Sequence, residues 1–194
     1  MKPLIHTIGH STHPIDYFIE LLQAHEVNCI VDVRSVAASR FNPQYNKKAL
    51  EGSLKKQGIQ YLHFAEEFGA RRTDPNDLIE GRVDFEKVRS SAIFKKGIQR
   101  LKQGTEKGFR IALMCAESEP LECHRFAMIS PALKKEFEIR HILKDASIAE
   151  QEELEQQLLE KYRKKLNSLF PEQMTGNRLQ LAMRLLNEKM GWSE

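Results

Sequence analysis

Two thiols, an imidazole, a guanidinium and three carboxylates fall within the eleven residues Cys115-Ala116-Glu117-Ser118-Glu119-Pro120-Leu121-Glu122-Cys123-His124-Arg125. Proline is favoured at the first position of a helix, so a helix opening at Pro120 and running to about Glu136 is predicted, with Cys123 in its first turn. A thiol near the positive end of a helix dipole and beside His124 and Arg125 should carry more thiolate at neutral pH than a free cysteine. Such a group can act as a nucleophile, as half of a redox pair or as a metal ligand. For a metal, Cys115, Cys123 and His124 offer three donors, with Glu117, His10 or His63 as the fourth. The spacing matches no common zinc pattern, in which cysteines come two to four residues apart. The plain structural rival for Cys115 is a small buried apolar residue at a strand end, and Cys29, at the start of a buried strand, reads as core.

A second group is cationic. Arg34 follows Asp32 by two residues, which suits a carboxylate that orients a guanidinium to bind phosphate or carboxylate, or equally a pair that ties strand to loop. Ser39 and Arg40 extend the same loop, and Arg125 would complete an anion clamp. His10 with Ser11 offers a base or a ligand, although capping of the next helix explains Ser11 or Thr12 as well. His63 closes a further strand. Between Arg34 and Arg72 there are eight basic residues against three acidic ones. That excess fits an anionic ligand or nucleic acid, and also a solvated helix face.

These side chains need a frame, and the apolar pattern supplies one. Leu4 to Ile8, Cys29 to Val33, Ile59 to Phe64, Phe109 to Cys115 and Glu138 to Leu143 read as strands. Helical spacing separates them, with Phe18, Leu21 and Leu22 on one helix, Lys47 to Gln57 on the next, and Ile93, Ile98 and Leu101 on a third. Strands alternating with helices predict an α/β fold with a mostly parallel sheet of about five strands and flanking helices. In such sheets ligands gather beyond the carboxyl ends of the strands. His10, Arg34, His63, Cys115 and His141 all stand there or close by. Glu66 to Arg82 reads as an irregular, functional loop.

After about residue 145 the texture changes. Ser147-Ile148-Ala149-Glu150 has the form of a capping box, predicting a long charged helix that ends at Phe170-Pro171 and a last helix from Asn177 to Met190. The division expected is therefore an α/β core over 1–145 and helices over 146–194, packed on the core or on a partner subunit, where they could mediate self-association. The net charge of +3 is mild, the 41% hydrophobic content is that of a globular chain, and three cysteines are too few for a disulfide framework. With no apolar stretch of membrane-spanning length and no signal-like start, a cytoplasmic location is expected.

Thr7-Ile8-Gly9-His10-Ser11, Asp32-Val33-Arg34, Ser39-Arg40, Tyr61-Leu62-His63, Phe68-Gly69 and Met114-Cys115-Ala116-Glu117 followed by Cys123-His124-Arg125 resemble, in order and over about residues 4–143, the family called domain of unknown function 488. The resemblance implies an α/β fold with its site in those blocks; it implies no reaction and no cofactor. Val36-Ala37-Ala38 stands where the family often has proline, and Phe68-Gly69 where it has Leu-Gly. The function expected is an enzyme of unassigned reaction acting on a phosphorylated or nucleotide-like anion. Cys115 or Cys123 would be its thiol and His124 or His10 its proton-transfer partner. A nucleic-acid-binding module, using Phe41, Tyr45, Tyr61 and Phe64, and a metal or thiol-redox protein are the alternatives.

Overall fold

The structure is a computed structural model that describes residues 2–169 and 178–193. The expected helix stop at Phe170-Pro171 and the Asn177 start lie outside these residues. The chain runs β1 (Leu4–Gly9), α1 (Ile15–Ala24), β2 (Cys29–Asp32), α2 (Lys47–Lys56), β3 (Gln60–His63) and α3 (Ala65–Phe68). A small hairpin follows, β4 (Leu78–Ile79) and β5 (Arg82–Val83), then α4 (Phe85–Ser90), α5 (Ala92–Glu106) and β6 (Ile111–Cys115). The remainder is α6 (Ser130–Leu133), β7 (Glu138–Ile142), β8 (Ile148–Glu150), α7 (Gln151–Lys161), α8 (Arg163–Leu169) and α9 (Arg178–Met190).

Six strands form the main sheet in the order β3-β2-β6-β1-β7-β8, the first five parallel and β8 antiparallel to β7. Every residue of β2 and β6 is buried, as continuous apolar strands between two helical layers must be. One face (Ile8, Ile30, Ala112, Met114, Ile142) packs on Phe18 and Leu22 of α1 and on Leu50 and Leu54 of α2. The other (Ile5, Val31, Leu113, Cys115) packs on Phe94 and Leu101 of α5, on Phe126 and on the C-terminal helices through Leu154, Leu158 and Leu186. The chain leaves β1 and β2 toward the α1–α2 face but leaves β6, which lies between them, toward the opposite face. Crevices open at such switch points. The register places Gly9 opposite Cys115, and Asp32 opposite both Met114 and His63, so the strand ends finish level with one another.

The sixth strand is a departure from the expected five. Ser147 to Glu150 was expected to cap a helix, but Ile148–Glu150 instead pairs with the free edge of β7, burying Ala149. The ladder satisfies backbone groups that a helix start there would leave open. The box moves three residues on, where the Glu153 carboxylate accepts from the Glu150 backbone N–H at 3.1 Å. Glu66 to Arg82 is also more ordered than expected, holding α3 and the β4–β5 hairpin, whose turn uses positive φ at Glu80 and Gly81.

Helix α7 docks on the sheet through a fully buried imidazole. The Thr7 hydroxyl lies 2.8 Å from His141 Nδ1, and His141 Nε2 lies 2.9 Å from the Gln151 side-chain oxygen. Because that oxygen only accepts, Nε2 carries the proton and Nδ1 accepts from Thr7. Burial, the largest influence, pushes the His141 pKa down to about 4 against the opposing bond to Gln151. The unfolded chain therefore takes up a proton near the ordinary value of about 6.5 that the folded chain refuses until about pH 4. The resulting stability is complete above pH 6.5 and is lost as pH falls through that window. The slope from His141 alone is up to ~1.4 kcal/mol per pH unit. Urea unfolding at pH 7 and 5 should show this decline, reduced by one proton's worth in His141→Gln; an unchanged slope in that variant would refute the assignment.

Candidate functional site

Beyond the level strand ends, Cys115, Glu117, Cys123 and His124 bring one potential ligand atom each to within 4.8 Å of one another. The Cys115 and Cys123 thiols both meet one carboxylate oxygen, Glu117 Oε2, at 2.9 and 3.2 Å, and both face His124 Nδ1, at 3.5 and 3.9 Å. The tautomer is set from behind: His124 Nε2 lies 3.1 Å from the Val33 carbonyl and must donate to it, which leaves Nδ1 for the thiols.

Cys123 reaches this cluster by a route other than the one expected. Pro120–Glu122 is a single 3₁₀ turn, Cys123 is extended (φ −130°, ψ 142°), and helix resumes at His124 through a π-helical turn, Arg125–Ile129. Cys123 is thus the residue before a new helix, not part of the first turn after Pro120. Its carbonyl accepts from Phe126 and Ala127 at 3.1 and 3.2 Å, and its sulfur accepts from the Arg125 backbone N–H at 3.4 Å.

The surroundings push the two thiols in opposite directions. Burial, the strongest influence, opposes ionisation of both. At Cys123 it is overcome by the Cys115 thiol, the Arg125 charge and His124, which hold its pKa well below the ordinary value. At Cys115 burial is reinforced by Cys123 and Glu117, so this thiol is held well above it. The Glu117 carboxyl is raised by burial and by Cys123. His124 is raised: burial lowers it, but Cys123 and Glu117 outweigh that.

A second buried group stands beside the first. Asp32 accepts from Arg34 at its backbone N (3.1 Å), Nε (2.9 Å) and Nη2 (2.6 Å), and from the Tyr61 hydroxyl at 2.7 Å. Arg34 also donates from Nη2 to the Tyr45 carbonyl (2.8 Å) and from Nη1 to His10 Nε2 (3.1 Å). His10 Nδ1 donates to the Ser11 carbonyl at 2.8 Å, and its ring stacks on Tyr45 with centroids 4.0 Å apart. Burial and Arg34 lower the His10 pKa to about 4 despite the Ser11 bond. His10 is therefore a neutral acceptor whose Nε2 is already engaged.

The segment carrying Glu117 is pinned from two sides. Arg125, fully buried, donates to the Glu117 carbonyl at 2.5 Å and to the Ser118 carbonyl at 2.7 Å. The same segment lies so close on β1 that a Cβ at Gly9 would sit 1.8 Å from the Glu117 oxygen.

A cavity of about 530 Å³ opens at this edge, and His10, Ser11, Arg34, Ser39, Cys115, Glu117 and His124 all line it. Other expected residues stand elsewhere. Cys123 sits behind that wall; Arg125 is consumed by the two carbonyls; His63 donates to the Arg34 carbonyl at 2.8 Å. Arg40 is exposed over a separate hollow with Pro43 and Asn46. Arg71, an exposed cation on the cavity wall, was missed as a site residue. Its backbone N–H donates to Ser35 Oγ at 2.9 Å, and the Phe68-Gly69 block before it was the available signal. A Cβ at Gly69 would meet that hydroxyl at 2.7 Å. Another cavity, of about 1000 Å³ between the hairpin and α9, contains none of these groups.

A parallel α/β domain with a thiol, imidazole and carboxylate cluster at its carboxyl edge is the class that fold and site define. The chain belongs to the family described as domain of unknown function DUF488, whose profile matches residues 14–130. That span excludes the Thr7–Ser11 block and β7, and is shorter than the resemblance read from the residues. Nothing matches among curated proteins, nor among solved structures. No helix among the described residues is long and apolar enough to cross a membrane.

Gly9→Ala must push the Glu117 segment outward, and overpacking of this kind costs ~1–3 kcal/mol. Gly52 in α2, where a Cβ meets nothing within 4 Å, is the control, and its alanine variant should gain ~0.5–1 kcal/mol. Equal unfolding midpoints for the two variants would show that the segment does not press on β1.

Proposed function

We propose that this protein is an enzyme that works in the cavity at the sheet's carboxyl edge, on a small substrate bearing an anionic group such as a phosphate. The observation that carries this is convergence: Cys115, Glu117 and His124 share one cavity with Arg34, Arg71 and the Ser39 side chain. Scaffolds do not need reactive and charged groups from four separate segments around one cavity, and enzymes do. The cluster is the reactive side, and the loops after β2 and α3 are the binding side. Of the five N–H groups of Arg34, four have protein partners and one remains for a ligand. Among the described residues, Arg71 is then the exposed cation on the cavity wall.

Thermal unfolding with inorganic phosphate, pyrophosphate, nucleoside monophosphates and dicarboxylates tests this. A phosphorylated probe at a hundred times its Kd should add about 2.7 kcal/mol of stability. Arg71→Glu should abolish the gain. Curves identical for wild type and Arg71→Glu across the panel would overturn the reading.

One observation favours a nucleic-acid ligand instead. Phe41 is 94% exposed beside Arg40, whereas Tyr45 and Phe64, expected to join it, are buried. A base stacked on Phe41 would be worth ~1–3 kcal/mol. Single-stranded oligonucleotide binding should then weaken steeply with salt and fall in Phe41→Ala. Affinity flat across salt would exclude it.

A further inference from the structure

We propose that Cys115, Glu117, Cys123 and His124 bind a single divalent ion of the zinc class. Cys115, Cys123 and His124 are the fixed ligands, and Glu117 holds the position toward the cavity. Zinc bonds of about 2.3 Å to sulfur and 2.0–2.1 Å to nitrogen give tetrahedral edges of roughly 3.5–3.8 Å. The two sulfur–imidazole separations, 3.5 and 3.9 Å, already fall close to those edges. The sulfur–carboxylate separations, 2.9 and 3.2 Å, are shorter, and the Glu117 side chain would move outward by a few tenths of an ångström to admit the ion. The four donor atoms all lie within 4.8 Å of one another and form an S₂NO set, which suits zinc better than calcium or magnesium.

The surroundings are those of a ligand set held in place. The Val33 carbonyl takes the His124 Nε2 proton and presents Nδ1 to the ion, the arrangement by which carbonyls orient ligating histidines. The Arg125 backbone N–H supports the Cys123 sulfur. The Arg125 guanidinium and the space over Gly9 fix the segment bearing Glu117. The Arg125 guanidinium gives its Nη groups to the Glu117 and Ser118 carbonyls and makes no hydrogen bond to the two sulfurs or the carboxylate, which leaves all three free to ligate an ion.

The chain spacing hides this site. Seven residues separate the cysteines, and only the break in helix after Glu122 swings Cys123 back beside the end of β6. Catalytic zinc sites keep three protein ligands and one exchangeable position. Here the exchangeable position is Glu117, the one exposed residue of the four. A substrate oxygen or a water displacing that carboxylate would be polarised by the ion. What the ion does to a substrate rests on the cavity reading above; its binding does not.

The test is metal analysis of the full-length protein purified anaerobically without chelator, followed by Co²⁺ titration of the stripped protein. One equivalent of zinc per chain is expected, and Co²⁺ should give thiolate charge-transfer absorption with the intense visible bands of a tetrahedral site. Cys115→Ser and Cys123→Ser should each lose the stoichiometric metal, while Glu117→Gln keeps one equivalent with altered visible bands. Should the cysteine variants not fold, the wild-type cobalt spectrum still decides. Absence of charge-transfer bands, zinc affinity unchanged in both cysteine variants, or a Cys115–Cys123 disulfide in the anaerobic protein would overturn the proposal. Phosphate-panel binding to the stripped protein reads the cavity separately, so either idea can fail alone.

Discussion

A carboxylate with no exposed surface, Asp32, is the constraint from which the rest of the edge follows. Holding an ion out of water costs several kcal/mol unless a counter-charge and hydrogen bonds meet it. Here three N–H groups of Arg34 and the Tyr61 hydroxyl do so. Arg34 is then folded back over the end of β2, with two further donors against the Tyr45 carbonyl and His10. The backbone on either side is immobilised by the same bonds. The Val33 carbonyl that orients His124 and the Arg34 carbonyl that holds His63 both belong to it.

The two buried guanidiniums are therefore chiefly structural. Arg34 neutralises Asp32, and Arg125 spends its Nη groups on the carbonyls of Glu117 and Ser118. Asp-x-Arg and Cys-His-Arg read from sequence as an anion clamp because an arginine's acceptors are invisible until the chain is folded. A guanidinium aimed at a ligand and one aimed at carbonyls have identical neighbours in the chain. Arg71 shows the converse, since the only signal near it in sequence is the Phe68-Gly69 block, which carries no charge. It reaches the cavity because Gly69 lets its loop settle on Ser35.

What was legible follows the same logic. The five parallel strands were readable because strands buried on both faces need continuous apolar runs, and Cys29 to Val33 and Phe109 to Cys115 have them. That Cys115, Glu117 and His124 gather around one cavity was readable because side chains at the carboxyl ends of parallel strands converge there. β8 was not, because its three residues carry a helix-capping pattern and are claimed by the open edge of β7, a partner distant in sequence. The geometry of Cys123 was not either. Pro120 does start a helical turn, but that turn ends after Glu122, and what restarts the helix is the packing of Phe126, Met128 and Ile129 into the core.

The groups that orient the cluster are almost all backbone: the Val33 carbonyl, the Arg125 N–H, and the Glu117 and Ser118 carbonyls. Val33, just past β2, is tied to the sheet by its N–H bond to the Met114 carbonyl at 2.9 Å, and buried Arg125 ties the Glu117–Ser118 segment, so this wall is held rigidly. The facing wall is different. It is built from loop residues between Ser35 and Asn42 and from Ala70 and Arg71, held to one another and to the start of α2 by turn and side-chain hydrogen bonds instead of a strand ladder. A cavity with one wall of strand ends and one of loops separates two demands. Groups that must meet a reacting atom need positions fixed to a fraction of an ångström. Groups that choose a substrate need only the right charge and size, and loops can vary in both without disturbing the core. On the reading proposed for this cavity, the chemistry belongs to β6 and the Cys123 turn, and selectivity to the loops that carry Ser39 and Arg71.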